Sequence, residues 1–240
     1  MPISIEICDN NASDNLMERV FSHFIAVDLR FSTYKIESEI SQINRGEILE
    51  HNHSTEMREV FLLAEKTKQE TGGYFDIRTP DGQLDPSGIV KGLAIWRAAE
   101  IISLAGCQNF YVEAGGDIES RGHNSLGMPW HVGIKNPFDP MHIVKVIIPN
   151  GSGVATSGTY ERGEHIYDPI KKTPAVGEII SMTVIGSNVY EADRFATGAF
   201  AMGKRGIAFI EASPHLEGYS IDLNGIATMT SGFEKFVSDN

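Results

Sequence analysis

The stretch 86-PSGIVKGLAIWRAAEIISLAGCQNFYVEAGGD-117 carries a helix, its stop, a strand and a tight bend in one unbroken run. Pro86 stands beside the start and Gly106 just past the end of a helix predicted over Ser87 to Leu104, the usual asymmetry of helix punctuation. Ile89, Leu93, Trp96, Ala99 and Ile102 recur at three- and four-residue steps and form a continuous apolar stripe. After Gly106 the pattern changes to a strand over Phe110 to Ala114, which ends at two glycines and a carboxylate.

Working toward the N-terminus, Ile3, Ile5 and Ile7 alternate with polar residues and predict an opening strand. Leu16, Val20, Phe24 and Val27 predict an amphipathic helix from Asn15 to Asp28. A further helix is predicted from a cap at Ser54 to the stop at Gly72 and Gly73. Toward the C-terminus, strands are predicted at Trp130 to Ile134, Ile143 to Ile148, Gly153 to Ser157 and Ile179 to Ile185. A helix follows from Asn188 to Gly203, with Asn188 and Glu191 at the spacing of a reciprocal capping pair. A short helix at Gly206 to Ala212 and strands at Tyr219 to Leu223 and Ile226 to Met229 close the chain. Strands joined by Gly- and Pro-containing turns favour an α+β class with largely antiparallel sheets packed with helices, over repeated βαβ units. No repeat, low-complexity tract or linker divides the chain, so residues 1–240 are expected to form a single domain.

A formal charge of −12 and a pI near 5.1, with no basic stripe, argue against a nucleic-acid partner. No apolar run approaches the roughly 18 residues of a membrane span, and Met1 to Asn10 lacks the basic and apolar regions of an export signal. A cytoplasmic protein with no membrane contact is therefore expected. Cys8 and Cys107 lie far apart and are read as small buried hydrophobes rather than a disulfide.

Several polar groups stand where helices or strands are predicted to begin, end or face one another. Asp193 and Thr197 are four apart on a predicted helix, so they project from one face. Such a carboxylate and hydroxyl either share a hard cation, which takes oxygen ligands, or bond locally on a wet face. Glu113-Ala-Gly-Gly-Asp117 is either a hairpin turn with a capping Asp or a close backbone approach to a ligand. Thr156 and Ser157 put two hydroxyls at a strand end, where they suit phosphate or flavin-ring atoms. Lys91 sits near a helix N-terminus, where its charge adds to the dipole; it either attracts an anion or snorkels to the surface. His165 has an ordinary pKa near working pH and is either a proton acceptor or simply exposed. Ser32 to Asn44 reads as a turn entering a short helix capped by Ser38, with a polar edge toward a ligand pocket.

Taken in order, these segments resemble the FAD:protein FMN transferase (ApbE) family. The resemblance rests on Ser32-Thr-Tyr34, Ser38-Glu-Ile-Ser41 with Asn44, Thr71-Gly-Gly-Tyr-Phe-Asp76 and Gly88-Ile-Val-Lys-Gly92. It continues through Glu113-Ala-Gly-Gly-Asp-Ile118, Ala155-Thr-Ser-Gly158 with Tyr160-Glu-Arg162, His165-Ile-Tyr-Asp-Pro169 and Ala192-Asp-Arg-Phe-Ala-Thr197. It implies an ApbE-like, T-fold-related architecture and an enzyme that uses FAD as substrate and Mg²⁺ as cofactor. Such an enzyme moves FMN through a phosphodiester onto a Thr or Ser of an acceptor flavoprotein and releases AMP. Relatives that hydrolyse FAD to FMN and AMP, and a flavin- or nucleotide-binding protein without catalysis, stay open as alternatives. Carried over by position, the resemblance makes Asp193, Thr197 and the Gly88 carbonyl metal ligands. It assigns Lys91, Asp117, Thr156 and Ser157 to the flavin nucleotide, Ser38 and Glu39 to its border, Lys91 to charge neutralisation and His165 to deprotonation of the acceptor hydroxyl. Two departures stand out: the stretch between Asp76 and Gly88 is short, which removes part of the cofactor pocket, and Met-Gly-Thr is absent from Met1 to Asn15. The oligomeric state is left open, a homo-oligomer included.

Overall fold

The computed structural model describes residues 1–158, 167–170, 173–174 and 179–238. Strand β1 (Ile3–Ile7) leads into helix α1 (Asp14–Phe31), which the Ser13 hydroxyl caps by accepting from the Leu16 N–H at 3.2 Å. The helix outlasts its predicted end at Asp28 because Phe31, one turn further, is itself buried in the core. Helix α2 (Glu39–Asn44) is capped by Ser38 and α3 (Thr55–Glu70) by Ser54, as the sequence predicts. Helix α4 (Ser87–Leu104) buries Val90, Ala94, Ile95 and Ala98 in addition to Ile89, Leu93, Ala99 and Ile102 of its apolar stripe, with Trp96 half-buried, so protein surrounds it on nearly every side.

The strands that follow are β2 (Phe110–Ala114), β3 (Asp117–Arg121), β4 (Val132–Asn136), β5 (Asp139–Ile147) and β6 (Gly153–Gly158). Short strands β7 (Tyr167–Asp168) and β8 (Thr173–Pro174) precede β9 (Ile179–Gly186). Helices α5 (Val189–Ala201) and α6 (Arg205–Ala212) come next, before strands β10 (Glu217–Asp222) and β11 (Ala227–Met229). Seven strands form one sheet in the order β1-β2-β3-β6-β9-β10-β11, and each adjacent pair is antiparallel. The antiparallel α+β expectation therefore holds. The two-residue strands β7 and β8 went unpredicted, as did one strand of the large sheet, β3: Asp117, Glu119 and Ser120 are all buried, so it lacks the apolar alternation by which strands are recognised. β4 and β5 pair with each other as a separate ribbon; β4 runs on to Asn136 beyond its predicted end at Ile134, and β5 begins at Asp139, ahead of its predicted start at Ile143.

Helices cover one face of the sheet, where Ala155, Met182 and Val184 pack against Ala192, Ala196 and Phe200 of α5. The ribbon and the C-terminal segment cover the other, where Val154, Ile185 and Tyr219 meet Val132, Ile134 and Phe233. β9 is buried on both faces as a result. Cys107 is buried as expected, whereas Cys8 lies just beyond β1 and is only half-buried; both are free thiols. No helix among the described residues is long and apolar enough to cross a membrane.

Three glycines set how closely α5 lies against its neighbours. A Cβ on Gly92 would fall 2.6 Å from the Asp193 Cβ, and one on Gly88 would fall 3.2 Å from the Thr197 Cγ2. A Cβ on Gly153 would fall 1.8 Å from the Val189 nitrogen, so the start of α5 rests directly on the β6 backbone. Glu119 then accepts from the Val189 N–H at 2.7 Å, and Asn188 accepts from the Glu191 N–H at 2.9 Å. The capping pair is not reciprocal, because the Glu191 carboxylate turns to Arg194 instead. A Gly153→Ala chain is expected to lose about 3 kcal/mol or more, at the top of the range for overpacked cores, because its clash is with backbone. Urea denaturation of the two chains measures the loss, and an unchanged midpoint would contradict the close contact.

Candidate functional site

One end of the seven-stranded sheet gathers most of the polar residues singled out above. Gly115 and Gly116, both at positive φ, make the two-residue link between β2 and β3, and the Gly116 N–H donates to Glu113 Oε1 at 2.7 Å. The hairpin reading of this motif is thus correct, and it has a second effect. It sets Asp117 as the first residue of β3, fully buried and facing the helices.

Asp117 Oδ1 accepts from the Thr156 N–H at 3.1 Å, and Oδ2 meets the Lys91 ammonium at 2.5 Å. Lys91 also lies 3.6 Å from Asp193 Oδ1. Asp193 Oδ2 accepts at 2.8 Å from the Gly92 N–H, which an unbroken helix would aim at the Gly88 carbonyl. Thr197 Oγ1 lies 3.5 Å from that Gly88 carbonyl and 3.4 Å from the Ser157 hydroxyl. Lys91, Asp117, Ser157, Asp193, Thr197 and the Gly88 carbonyl therefore converge, although they come from four separate elements.

Two carboxylates share one ammonium here, and all three groups are largely shielded from water. Burial pushes the Asp117 carboxyl up to about 8, against the pull of Lys91 and with the help of nearby Asp193. Burial likewise raises Glu119 to about 7, offset by its bond from Val189. The oxygens gathered here, from a carboxylate, two hydroxyls and a backbone carbonyl, are of the type hard divalent cations accept. Among the described residues no group of three or more His, Cys, Asp and Glu gathers as a softer metal site would require.

Other predicted site residues lie elsewhere. The Thr156 hydroxyl bonds Thr183 at 2.8 Å on the sheet face opposite Ser157, so only the Thr156 N–H serves the cluster. Ser38 donates to the Ser32 carbonyl at 2.7 Å while capping α2. Glu39 accepts from the Ser54 N–H and hydroxyl, both at 2.7 Å, and pairs with Arg30 at 3.3 Å. These two residues shape the Ser32–Tyr34 loop rather than point into the cluster. His165 lies outside the described residues.

A cleft of about 590 Å³ opens beside Lys91, between α1, α4 and β1. Phe21, Phe24, Ile25, Phe31 and Val90 give it apolar walls, Ser32 to Tyr34 rim it, and Ser87 and Lys91 supply polar groups. An aromatic ring system attached to a phosphate fits that division. The short stretch after Asp76 folds into a small loop: Arg78 bridges Leu84, and the Asn44 amide bonds both the N–H and the carbonyl of Leu84, at 2.8 and 2.9 Å.

Sequence reading missed Glu119 and Arg194. Glu119 shares a strand face with Asp117, a period-two signal that a recognised β3 would have exposed. Arg194 is buried between Glu70 and Glu191 and lies over the Phe195 ring, tying α3 to α5. Nothing in its sequence spacing separates it from a surface arginine.

The ApbE family model matches residues 1–79 and 77–220. The FAD:protein FMN transferase of Vibrio cholerae serotype O1 is 32% identical over 171 residues, covering 67% of this chain and 49% of that protein. Its Escherichia coli K12 counterpart is 33% identical over 139 residues, covering 54% and 40%, and that of Chlamydia muridarum is 28% identical over 240 residues, covering 75% and 73%. The chain thus spans half or less of the length of the first two relatives. The solved flavin transferase ApbE from Vibrio cholerae aligns at a TM-score of 0.82 with 24% identity, over 98% of this chain and 95% of that one. The apo flavinyl transferase ApbE of Pseudomonas stutzeri aligns at 0.84 with 20% identity, over 98% and 94%. At these identities the structures show a shared fold, the one the sequence motifs implied.

The raised Asp117 carboxyl makes a pH signature. The folded chain holds this proton more tightly than the unfolded chain, so its contribution to stability is complete below pH 3.8 and drains away as pH rises toward about 8. Glu119 acts with the same sign between 4.5 and about 7. Asp117→Asn should therefore lose less stability than the parent chain between pH 5 and pH 8, as read by urea unfolding. An equal or steeper loss would contradict the assignment.

Proposed function

The chain belongs to the ApbE family, and we propose that it transfers FMN from FAD to a Thr or Ser hydroxyl of an acceptor flavoprotein, releasing AMP, with Mg²⁺ as the cation. The observation that carries this reading is the convergence of Lys91, Asp193, Thr197 and Ser157 beside an apolar cleft. The flavin ring fits the cleft, and its phosphates then reach Lys91 and the Ser157 hydroxyl. Asp193, Thr197 and the Gly88 carbonyl would hold the cation. When bound, Mg²⁺ withdraws charge from phosphate oxygens as a Lewis acid.

The chain's own groups have distinct tasks. Lys91, held between Asp117 and Asp193, offers a fixed ammonium to the charge that builds on phosphate oxygens during displacement. Asp117 fixes Lys91 and the β6 backbone through opposite oxygens, a positioning role rather than a direct contact. Ser157 orients a phosphate oxygen. The acceptor oxygen attacks the FMN phosphorus, the bond to the bridging oxygen breaks, and AMP leaves with that oxygen. His165 takes the hydroxyl proton.

Mass spectrometry of candidate flavoproteins incubated with FAD, Mg²⁺ and this chain is expected to show an FMN adduct, with AMP released in equal amount. Asp193→Ala should abolish both products, and His165→Ala should slow transfer by about 10² to 10⁴, the usual contribution of a general base. FMN and AMP formed without any acceptor would instead identify a pyrophosphatase. Flavin binding that survives EDTA, with no AMP from any acceptor, would identify a binding protein.

A further inference from the structure

We infer that Glu119 is a positioning residue for the cation site: by holding the first turn of α5, it sets the depth at which Asp193 and Thr197 stand against Gly88. The inference rests on the flavin-transfer reading, which makes Asp193, Thr197 and the Gly88 carbonyl the cation's ligands. Glu119 is 1% exposed and shares the helix-facing side of β3 with Asp117. One of its oxygens accepts from the Val189 N–H at 2.7 Å, and Val189 is the first residue of α5. Gly153 of β6 lies so near Val189 that no Cβ fits between them. The start of α5 is therefore held by two strands at once.

From there the helix itself carries the position. Val189 to Thr197 contains no glycine or proline, so these two turns move as one rod. Asp193 stands one turn, about 6 Å, and Thr197 two turns, about 12 Å, beyond Val189. A displacement of about 0.5 Å away from α4 takes the 2.8 Å bond from the Gly92 N–H to Asp193 outside the ordinary hydrogen-bond range. The other Glu119 oxygen faces Arg121 at 3.8 Å, and Arg121 donates to Ser103 of α4 at 2.5 Å and pairs with Glu100. One carboxyl group thus links, directly or through Arg121, both helices that supply the cation's ligands.

Capping alone does not call for this residue. Asn188 already caps α5 by accepting from the Glu191 N–H, and the Ala192 N–H donates to the Asn188 carbonyl. The first N–H of a helix can be left to water. A carboxyl that burial raises to about 7 is a costly partner for it. What Glu119 adds is a tie between β3, which carries Asp117, and the helix that carries Asp193.

The test titrates Mg²⁺ into the full chain by calorimetry and follows exchange of the Gly92 amide by NMR. Glu119→Ala should weaken Mg²⁺ binding about ten-fold or more, as for loss of a group that orients metal ligands from behind. Its Gly92 amide should exchange about ten-fold or more faster relative to the Ile95 amide of the same helix, because Asp193 withdraws. Glu119→Gln keeps an oxygen for Val189 and should restore both values to within about three-fold of the parent. Phe233→Leu, which loosens the core on the opposite face of the sheet, should lower the urea midpoint and change neither value. A parent-like value of either in Glu119→Ala overturns the inference. So does a Phe233→Leu chain that weakens binding equally, since affinity then only follows stability. Should Glu119→Ala lose its urea transition, Glu119→Asp, one methylene shorter, repeats the measurement with the same expectations. Gly92 exchange needs no metal, so a parent chain that binds no Mg²⁺ overturns the cation assignment while the exchange still decides the role of Glu119.

Discussion

The close seating of α5 against α4 and β6 is the constraint from which the site follows. Gly92 admits the Asp193 side chain, and Gly88 leaves its backbone open toward Thr197. Gly153 lets the first turn of α5 rest on the sheet. Were any of these side chains larger, α5 would move outward and its carboxylate would no longer reach the Gly92 N–H. Packing density and chemistry are therefore the same problem at this contact. Interiors of native density transmit a methyl group's worth of volume directly into the positions of neighbouring groups.

Electrostatics depends on that geometry. Asp117 is buried because the Gly115-Gly116 bend returns the chain immediately, and Asp193 is buried because α5 lies so near. Lys91 bridges them and is itself held beside the flavin-sized cleft. Burying two carboxyl groups is costly unless an opposite charge or a proton compensates them, and here Lys91 and the raised Asp117 carboxyl do so. Glu119 and Arg194 stand behind this array, one under the start of α5 and the other tying it to α3.

Much of this was legible in the sequence, and the gaps have physical causes. Helices α3 and α4 announce themselves by caps, stops and apolar stripes, and the strand signals of β2, β6 and β9 survive because their buried faces are apolar. β3 escaped because its buried face is polar, its stabilisation coming from Lys91, the Thr156 N–H and α5 rather than from apolar contacts. The same sequence pattern that marks Asp193, Thr197 and Lys91 cannot say that they converge, since that depends on glycine contacts across more than a hundred residues. Nor does it say which way a hydroxyl points: Thr156 and Ser157 are adjacent yet serve opposite faces. Ser38 and Glu39 carry a family pattern, but their hydrogen bonds here go to the Ser32 carbonyl and the start of α3.

The Asn44 side chain, which grips both backbone groups of Leu84, imitates a neighbouring strand with a single amide. Asp85 then bonds the Ser87 N–H at 2.9 Å and launches α4 from a fixed point. Entry to the central helix is consequently decoupled from however many residues precede Leu84. A long excursion or a short one can be spliced in ahead of that anchor while α4 keeps its origin, so the length of chain before Leu84 can change without moving the polar cluster that α4 carries.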